Sequence, residues 1–268
     1  MRENTAKTKM LGGQAAFGYA LGLGSPVAAE ALASCGVDFL MVDTQHGSWG
    51  LDTAILGLMG ASSGSATPMV RVAANDFVLI GRLLDEGALG VVVPLVHDAD
   101  DARRAADACR FPPEGERSCG WGRAIAYGDD YLERVNDQIF VAVQIESAHA
   151  VENAEAIMAT PGIDGCWIGP SDLSFSMGVH PKDRADHEGV QSAIEQVLKA
   201  CQNTGKIPGY AAFSPAEAKT RAEQGFQFLT AGSDRAFMMQ GAKAGVKLLR
   251  GSSLSNADLA ARQGIARA

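Results

Sequence analysis

Residues 143–178 read VQIESAHAVENAEAIMATPGIDGCWIGPSDLSFSMG. Two apolar runs lie in this stretch, and both lead into polar side chains able to do chemistry. Gln144 and Glu146 close the first, and Asp172 follows the second. Gln144 and Glu146 are two apart, so on a strand they share a face. VENAEAIMA between the runs reads as a crossover helix, which makes the flanking strands parallel neighbours. Glu146 and Asp172 are therefore expected to meet at the carboxyl ends of adjacent strands, where α/β folds keep their sites. Two carboxylates with no nearby Lys or Arg form the hard oxygen donor set that suits a divalent cation.

Other run ends carry a matching set. Asp43 and His46 lie in VDTQHG. There His46 is a candidate general base that Asp43 would orient, or else a histidine bonded for structural reasons. Arg71 lies in PMVRV. A buried strand arginine needs an anion. That anion is either Asp43, Asp76 or Glu146 in a salt bridge, or an enolate or carboxylate oxygen held by the guanidinium fork. In GPSD, Gly169 and Pro170 shape a turn out of the strand. It frees the N–H groups of Ser171 and Asp172 to hold an anion, unless Ser171 or Asp172 caps a helix, and both can hold at once. Asp85 in LLDEGALGVVVP reads from periodicity as a solvated helix-end carboxylate. Trp49 and Trp167 read as core or site wall, and Phe175 and Met177 as packing near the site mouth.

The elements that must position these residues follow a regular alternation. AAFGYAL, VDFLMVD, PMVRV, GVVVP, IFVAVQIE, DGCWIG, IPGYAA and FQFLTAG are eight strand candidates, with helical patterns between them. This alternation predicts parallel strands. Eight of them in a chain of 268 residues point to a closed (β/α)8 TIM barrel, one domain over 1–268 with its core at about 10–250. No strand-to-helix junction carries GxGxxG or a P-loop, which leaves a dinucleotide-binding reading unsupported. Residues 111–137 form a long insertion between the fourth and fifth strands, and a loop of that length is usually functional. The tail 251–268 is peripheral: polar, with a short amphipathic end.

Composition sets the class. Hydrophobic residues at 47% can fill a large core, and charged residues at 20% with aromatics at 6% fit an ordinary soluble enzyme. The net charge of −8 and the lack of a basic stripe argue against nucleic-acid binding. The five cysteines, Cys35, Cys109, Cys119, Cys166 and Cys201, include no CxxC pair and read as small core residues or free thiols in a reducing compartment. The N-terminal MRENTAKTKM has no apolar signal-peptide core after it, and no run is long enough to span a membrane. The expectation is a cytoplasmic protein with no membrane partner.

Taken in order, VDTQHG, PMVRV, LDEGALGVVVPLV, CRFPPEGERSCG, QIESAHAVENAEAI and GIDGCWIGPSDLSFSMG resemble the HpcH/HpaI aldolase family of class II pyruvate aldolases over about residues 10–250. The resemblance implies a metal-dependent barrel that cleaves or forms a C–C bond between pyruvate, or a related 2-keto acid such as hydroxypyruvate, and an aldehyde through an enolate. It implies Glu146 and Asp172 as ligands of Mg2+, Mn2+ or Co2+, and His46 paired with Asp43 as the base. Arg71 would stabilise the enolate, Gln144 would contact pyruvate, and the Ser171 and Asp172 amides would hold its carboxylate. It matches Asp85 to a carboxylate that reaches a neighbouring subunit's site. The C-terminal helices would pack on that neighbour, in a homo-oligomer built as a hexamer, a trimer of dimers. One departure is Gln45, where the family often has Glu before the histidine; it bears on aldehyde preference. The rival readings are a CoA-thioester lyase of the citrate-lyase β or malyl-CoA lyase type, an oxaloacetate decarboxylase, and a non-catalytic barrel. No lysine ends a strand, which disfavours Schiff-base chemistry.

Overall fold

The computed structural model describes residues 1–120 and 122–251. The chain forms two compact units, Met1–Asp234 and Arg235–Ala268. The first is a closed barrel of eight parallel strands in sequential order. These are β1 (Ala16–Leu21), β2 (Phe39–Asp43), β3 (Thr67–Arg71), β4 (Gly90–Val93), β5 (Phe140–Ile145), β6 (Gly165–Ile168), β7 (Gly209–Ala212) and β8 (Phe228–Ser233). All eight expected strands are present, and β8 pairs with β1 to close the ring.

The helices in chain order are α1 (Thr5–Leu11), α2 (Pro26–Ala33), α3 (Leu51–Ala61), α4 (Phe77–Asp85), α5 (Ala99–Cys109), α6 (Tyr131–Gln138), α7 (Ala148–Glu152), α8 (Ala154–Met158), α9 (Pro170–Ser176), α10 (Glu188–Thr204), α11 (Pro215–Glu223) and α12 (Asp234–Gly251). Helix α12 supplies the described part of the second unit. The tail 252–268 lies outside the described residues.

Period-two alternation sorts each strand between two cores. Leu40, Val42, Val70, Val141, Val143, Ile145, Cys166 and Ile168 pack outward under the helices. Phe39, Met41, Met69, Val92, Phe140, Ala142, Trp167 and Phe228 fill the lumen. Extended by one more alternation toward the carboxyl ends, the lumen face continues into Asp43, Arg71, Gln144 and Glu146. The same pleat that fills the barrel therefore aims the polar set into its upper end.

Two expectations are corrected. The N-terminal segment, read as merely polar, folds as α1, whose Ala6 and Met10 join the lumen core. Two polar side chains of this segment bond to backbone of the barrel. Asn4 Nδ2 donates to the Leu89 carbonyl at 2.8 Å, and Lys7 Nζ to the Ile139 carbonyl at 2.8 Å. The crossover after β5 is two short helices rather than one. They meet at Asn153, whose side-chain amide donates to the His97 carbonyl at 3.1 Å. An asparagine bonding outward in this way competes with helix continuation.

In the 111–137 insertion, Arg117 turns inward. It is 1% exposed, donates to Asp85 Oδ1 at 2.6 Å, and lies over the Phe111 ring at 4.3 Å. All five cysteines are free; Cys109, Cys166 and Cys201 are buried as expected, and Cys35 and Cys119 are exposed.

Candidate active site

Asp43 and Arg71 end β2 and β3 and are register partners. Arg71 Nε donates to Asp43 Oδ1 at 2.9 Å and Nη2 donates to Oδ2 at 2.5 Å. Of the three acids open to Arg71 from the sequence, Asp43 is the one it pairs with. Both side chains are buried, so each ion offsets the other's desolvation, and the fork geometry fixes the guanidinium plane. The guanidinium carbon lies 5.2 Å from the centre of the Trp167 ring. Arg71 Nη1 makes no hydrogen bond among the described residues.

Asp43 Oδ1 also accepts from the backbone N–H of Gln45 at 3.1 Å and of His46 at 3.2 Å. The aspartate thus folds the 43–46 turn and carries His46 outward. The expected Asp43–His46 link runs through the His46 backbone amide. The exposed imidazole takes no hydrogen bond among the described residues. Gln45 Oε1 is buried with no partner. His180 and His187, read as loop or helix-face residues, cap helices through Nδ1.

Glu146 is 5% exposed at the carboxyl end of β5. Its Oε1 accepts from the backbone N–H of Leu95 at 2.9 Å, and its Oε2 accepts from Gln144 Nε2. Burial pushes the Glu146 carboxyl up. The Leu95 N–H opposes this, the charge of Asp172 adds to it, and Arg71 and Gln144 lower it. Asp172 lies in the first turn of α9, just beyond β6.

Leu95, which sequence reasoning missed, has φ 57°, a left-handed backbone that is uncommon for leucine. That conformation points its N–H at Glu146. No pattern in the sequence marks it. A left-handed leucine just beyond β4 has no composition signal of the kind glycine provides.

Gly169 shapes the other wall. A Cβ there would stand 2.8 Å from Gln144 Nε2 and 3.0 Å from Glu146 Oε2, so any larger residue would press on the ends of these two side chains. Gly169 is the N-cap of α9 without a side-chain cap, which removes the reading in which Ser171 or Asp172 caps the helix. Pro170 occupies the first helical position, and Leu173 N–H bonds back to Gly169 O at 3.0 Å. The Ser171 and Asp172 amides have no acceptor among the described residues.

Asp85 does not join this group within the chain. Helix α4 returns from the carboxyl end of β3 to the amino end of β4, so its last residue lies at the opposite end of the barrel. There Asp85 is paired with Arg117 rather than free in solvent.

The residues fit a hard divalent cation. Glu146 and Asp172 offer carboxylate oxygens, and the buried Gln144 Oε1 beside them has no partner. Among the described residues no group of three or more His, Cys, Asp or Glu gathers. A donor set of two carboxylates suits an ion that keeps water or substrate oxygens in its remaining positions.

The chain is similar in sequence and in fold to known proteins. A 4-hydroxy-2-oxo-heptane-1,7-dioate aldolase of Escherichia coli (strain SE11) is 38% identical over 248 residues, 90% of this chain and 93% of that protein. The structure of an HpcH/HpaI aldolase/citrate lyase family protein from Burkholderia cenocepacia J2315 superposes with a TM-score of 0.86 at 35% identity, covering 92% of this chain and 99% of that one. A citrate lyase β subunit from M. tuberculosis shares the fold alone, at 15% identity and a TM-score of 0.57 over 83% of this chain and 93% of that one. The HpcH/HpaI aldolase/citrate lyase family model matches residues 19–240, and this chain, a carbon–carbon lyase, belongs to that family.

Proposed function

We propose that the enzyme cleaves or forms the C–C bond between a 2-keto acid, pyruvate or a relative such as hydroxypyruvate, and an aldehyde. The observation that supports it is the grouping of Glu146, Gln144 and the Arg71–Asp43 pair at one end of the lumen, with the uncapped start of α9 at its wall. A divalent cation such as Mg2+, Mn2+ or Co2+ would be held by Glu146 and Asp172 and would supply Lewis-acid polarisation of the keto group.

The chain's own residues do the rest. In cleavage, His46 takes the proton of the 4-hydroxyl, and the oxygen's electron pair forms the aldehyde carbonyl. The C3–C4 electron pair moves to make the enolate, and protonation at C3 gives the keto acid. Arg71 stabilises the enolate charge through the side of its fork that Asp43 leaves open. Asp43 holds that fork in place. Gln144 and the Ser171 and Asp172 amides orient the keto acid, the amide N–H groups donating to its carboxylate. In the synthetic direction His46 deprotonates C3.

Asp85 would act in a neighbouring subunit's site, within a homohexamer arranged as a trimer of dimers. A cytoplasmic location goes with this reading; among the described residues no helix is long and apolar enough to cross a membrane. The relatives favour the aldolase over a CoA-thioester lyase, since the citrate lyase likeness is at the level of fold.

The test is C–C bond formation by metal-loaded protein, with pyruvate or hydroxypyruvate as donor and a panel of aldehydes as acceptors. Failure with every pair, alongside cleavage of a malyl-type CoA thioester, would replace this reading with its rival.

A further inference from the structure

Buried side-chain atoms without partners are few among the described residues, and two of them are complementary. Gln144 Oε1 is an acceptor without a donor, and Trp167 Nε1 is a donor without an acceptor. Gln144 is 1% exposed and Trp167 4% exposed. The two residues are register partners on β5 and β6, and both face the lumen. The Gln144 amide cannot satisfy itself by turning over. Its Nε2 is committed to Glu146 Oε2, and a flip would set its oxygen against that carboxylate. Leaving two such groups unpaired in a low-dielectric site is costly, so a ligand is expected to meet them.

We propose that Trp167 is a substrate-binding residue and that, with Gln144, it recognises a hydroxyl group on the keto acid. A hydroxyl oxygen accepts from the indole N–H and donates its own proton to Gln144 Oε1, satisfying both atoms at once. A methyl group satisfies neither, and a carboxylate satisfies the indole alone. The ligand class is therefore a 2-keto acid with a hydroxyl on the carbon beside the keto group. The same indole ring lies under the Arg71 guanidinium, which puts it beside the proposed enolate-stabilising charge. The assignment rests on the keto-acid reading above and adds the donor preference to it.

The test is calorimetric binding of pyruvate and of hydroxypyruvate to Mg2+-loaded protein, in the wild type and in W167F. The phenyl ring keeps an aromatic face under Arg71 and removes the N–H together with the five-membered ring that carries it. Hydroxypyruvate should bind the wild type more tightly than pyruvate. W167F should lower that preference by at least about fivefold, the scale of one lost hydrogen bond in a buried site. If W167F does not fold, benzothienylalanine at position 167 keeps the bicyclic shape without the donor, and the same loss is expected. An unchanged preference, with both acids weakened equally or not at all, overturns the assignment and leaves the two atoms to a fixed water. That outcome keeps the keto-acid reading intact, whereas a wild type that binds neither acid removes both.

Discussion

Arg71 and Asp43, register partners on neighbouring strands, form a two-point ion pair inside the barrel mouth, at 2.9 and 2.5 Å. The pair has a division of labour built into it. Asp43 uses Oδ2 on Arg71 and shares Oδ1 between Arg71 and the amides that fold the turn carrying His46. One carboxylate thus sets the position of the candidate enolate charge partner and of the candidate base.

The roles of Arg71 and His46 separate by reaction. Arg71→Ala should lose both aldol cleavage and oxaloacetate decarboxylation, by roughly two to three decades each, because both pass through the same enolate. His46→Ala should lose cleavage far more than decarboxylation, since loss of CO2 needs no base at a 4-hydroxyl. Steady-state rates of both reactions check this. Equal losses in both mutants would reassign His46 to shaping the site.

Metal dependence rests on the two carboxylates. Glu146→Gln and Asp172→Asn should each abolish metal-dependent turnover while circular dichroism stays that of the wild type. Pyruvate release that survives exhaustive chelation would exclude the mechanism proposed here.

The raised Glu146 carboxyl has a sign that can be tested in metal-free protein. A group whose folded pKa lies above its unfolded value favours folding when protonated. Its contribution is present below the ordinary Glu range and is lost as pH rises through the folded value. Glu146→Gln should therefore melt higher than the wild type at about pH 7 in EDTA, where the wild type holds a buried charge, and the gap should close near about pH 4. Thermal melts at the two pH values measure it. In the wild type, metal affinity should weaken on acidification at a higher pH than an ordinary glutamate would give, because the ligand must be deprotonated. A melting gap that widens toward acid would contradict the sign.

Asp85 is held by Arg117 at the far end of its own barrel, so any catalytic role must be served to another subunit. Asp85→Ala and His46→Ala proteins should each be inactive alone. After mixed refolding they should regain part of the activity, since some sites receive both intact groups. Sedimentation should show an oligomer. A monomer at all concentrations, or no recovery on mixing, would remove Asp85 from the mechanism.

The barrel and the lumen face were legible because both follow from local rules. Strand alternation has a period of two, and helical crossovers make neighbouring strands parallel. Any polar residue in phase with Phe140 and Ala142 therefore had to enter the lumen, which placed Gln144 and Glu146. Pairings that depend on closing the ring were not legible. Asp43, Asp76 and Glu146 were equal candidates for Arg71 until the register set Asp43 beside it. The amide of Leu95 reaches Glu146 across strands, 51 positions along the chain, by a backbone conformation that no residue type announces. Polar MRENTAKTKM closes the amino end of the barrel because strand-end carbonyls there accept from Asn4 and Lys7. Sequence pattern states which face a side chain takes. Which partner it meets is decided by tertiary structure, because partners are fixed by distances across the closed ring.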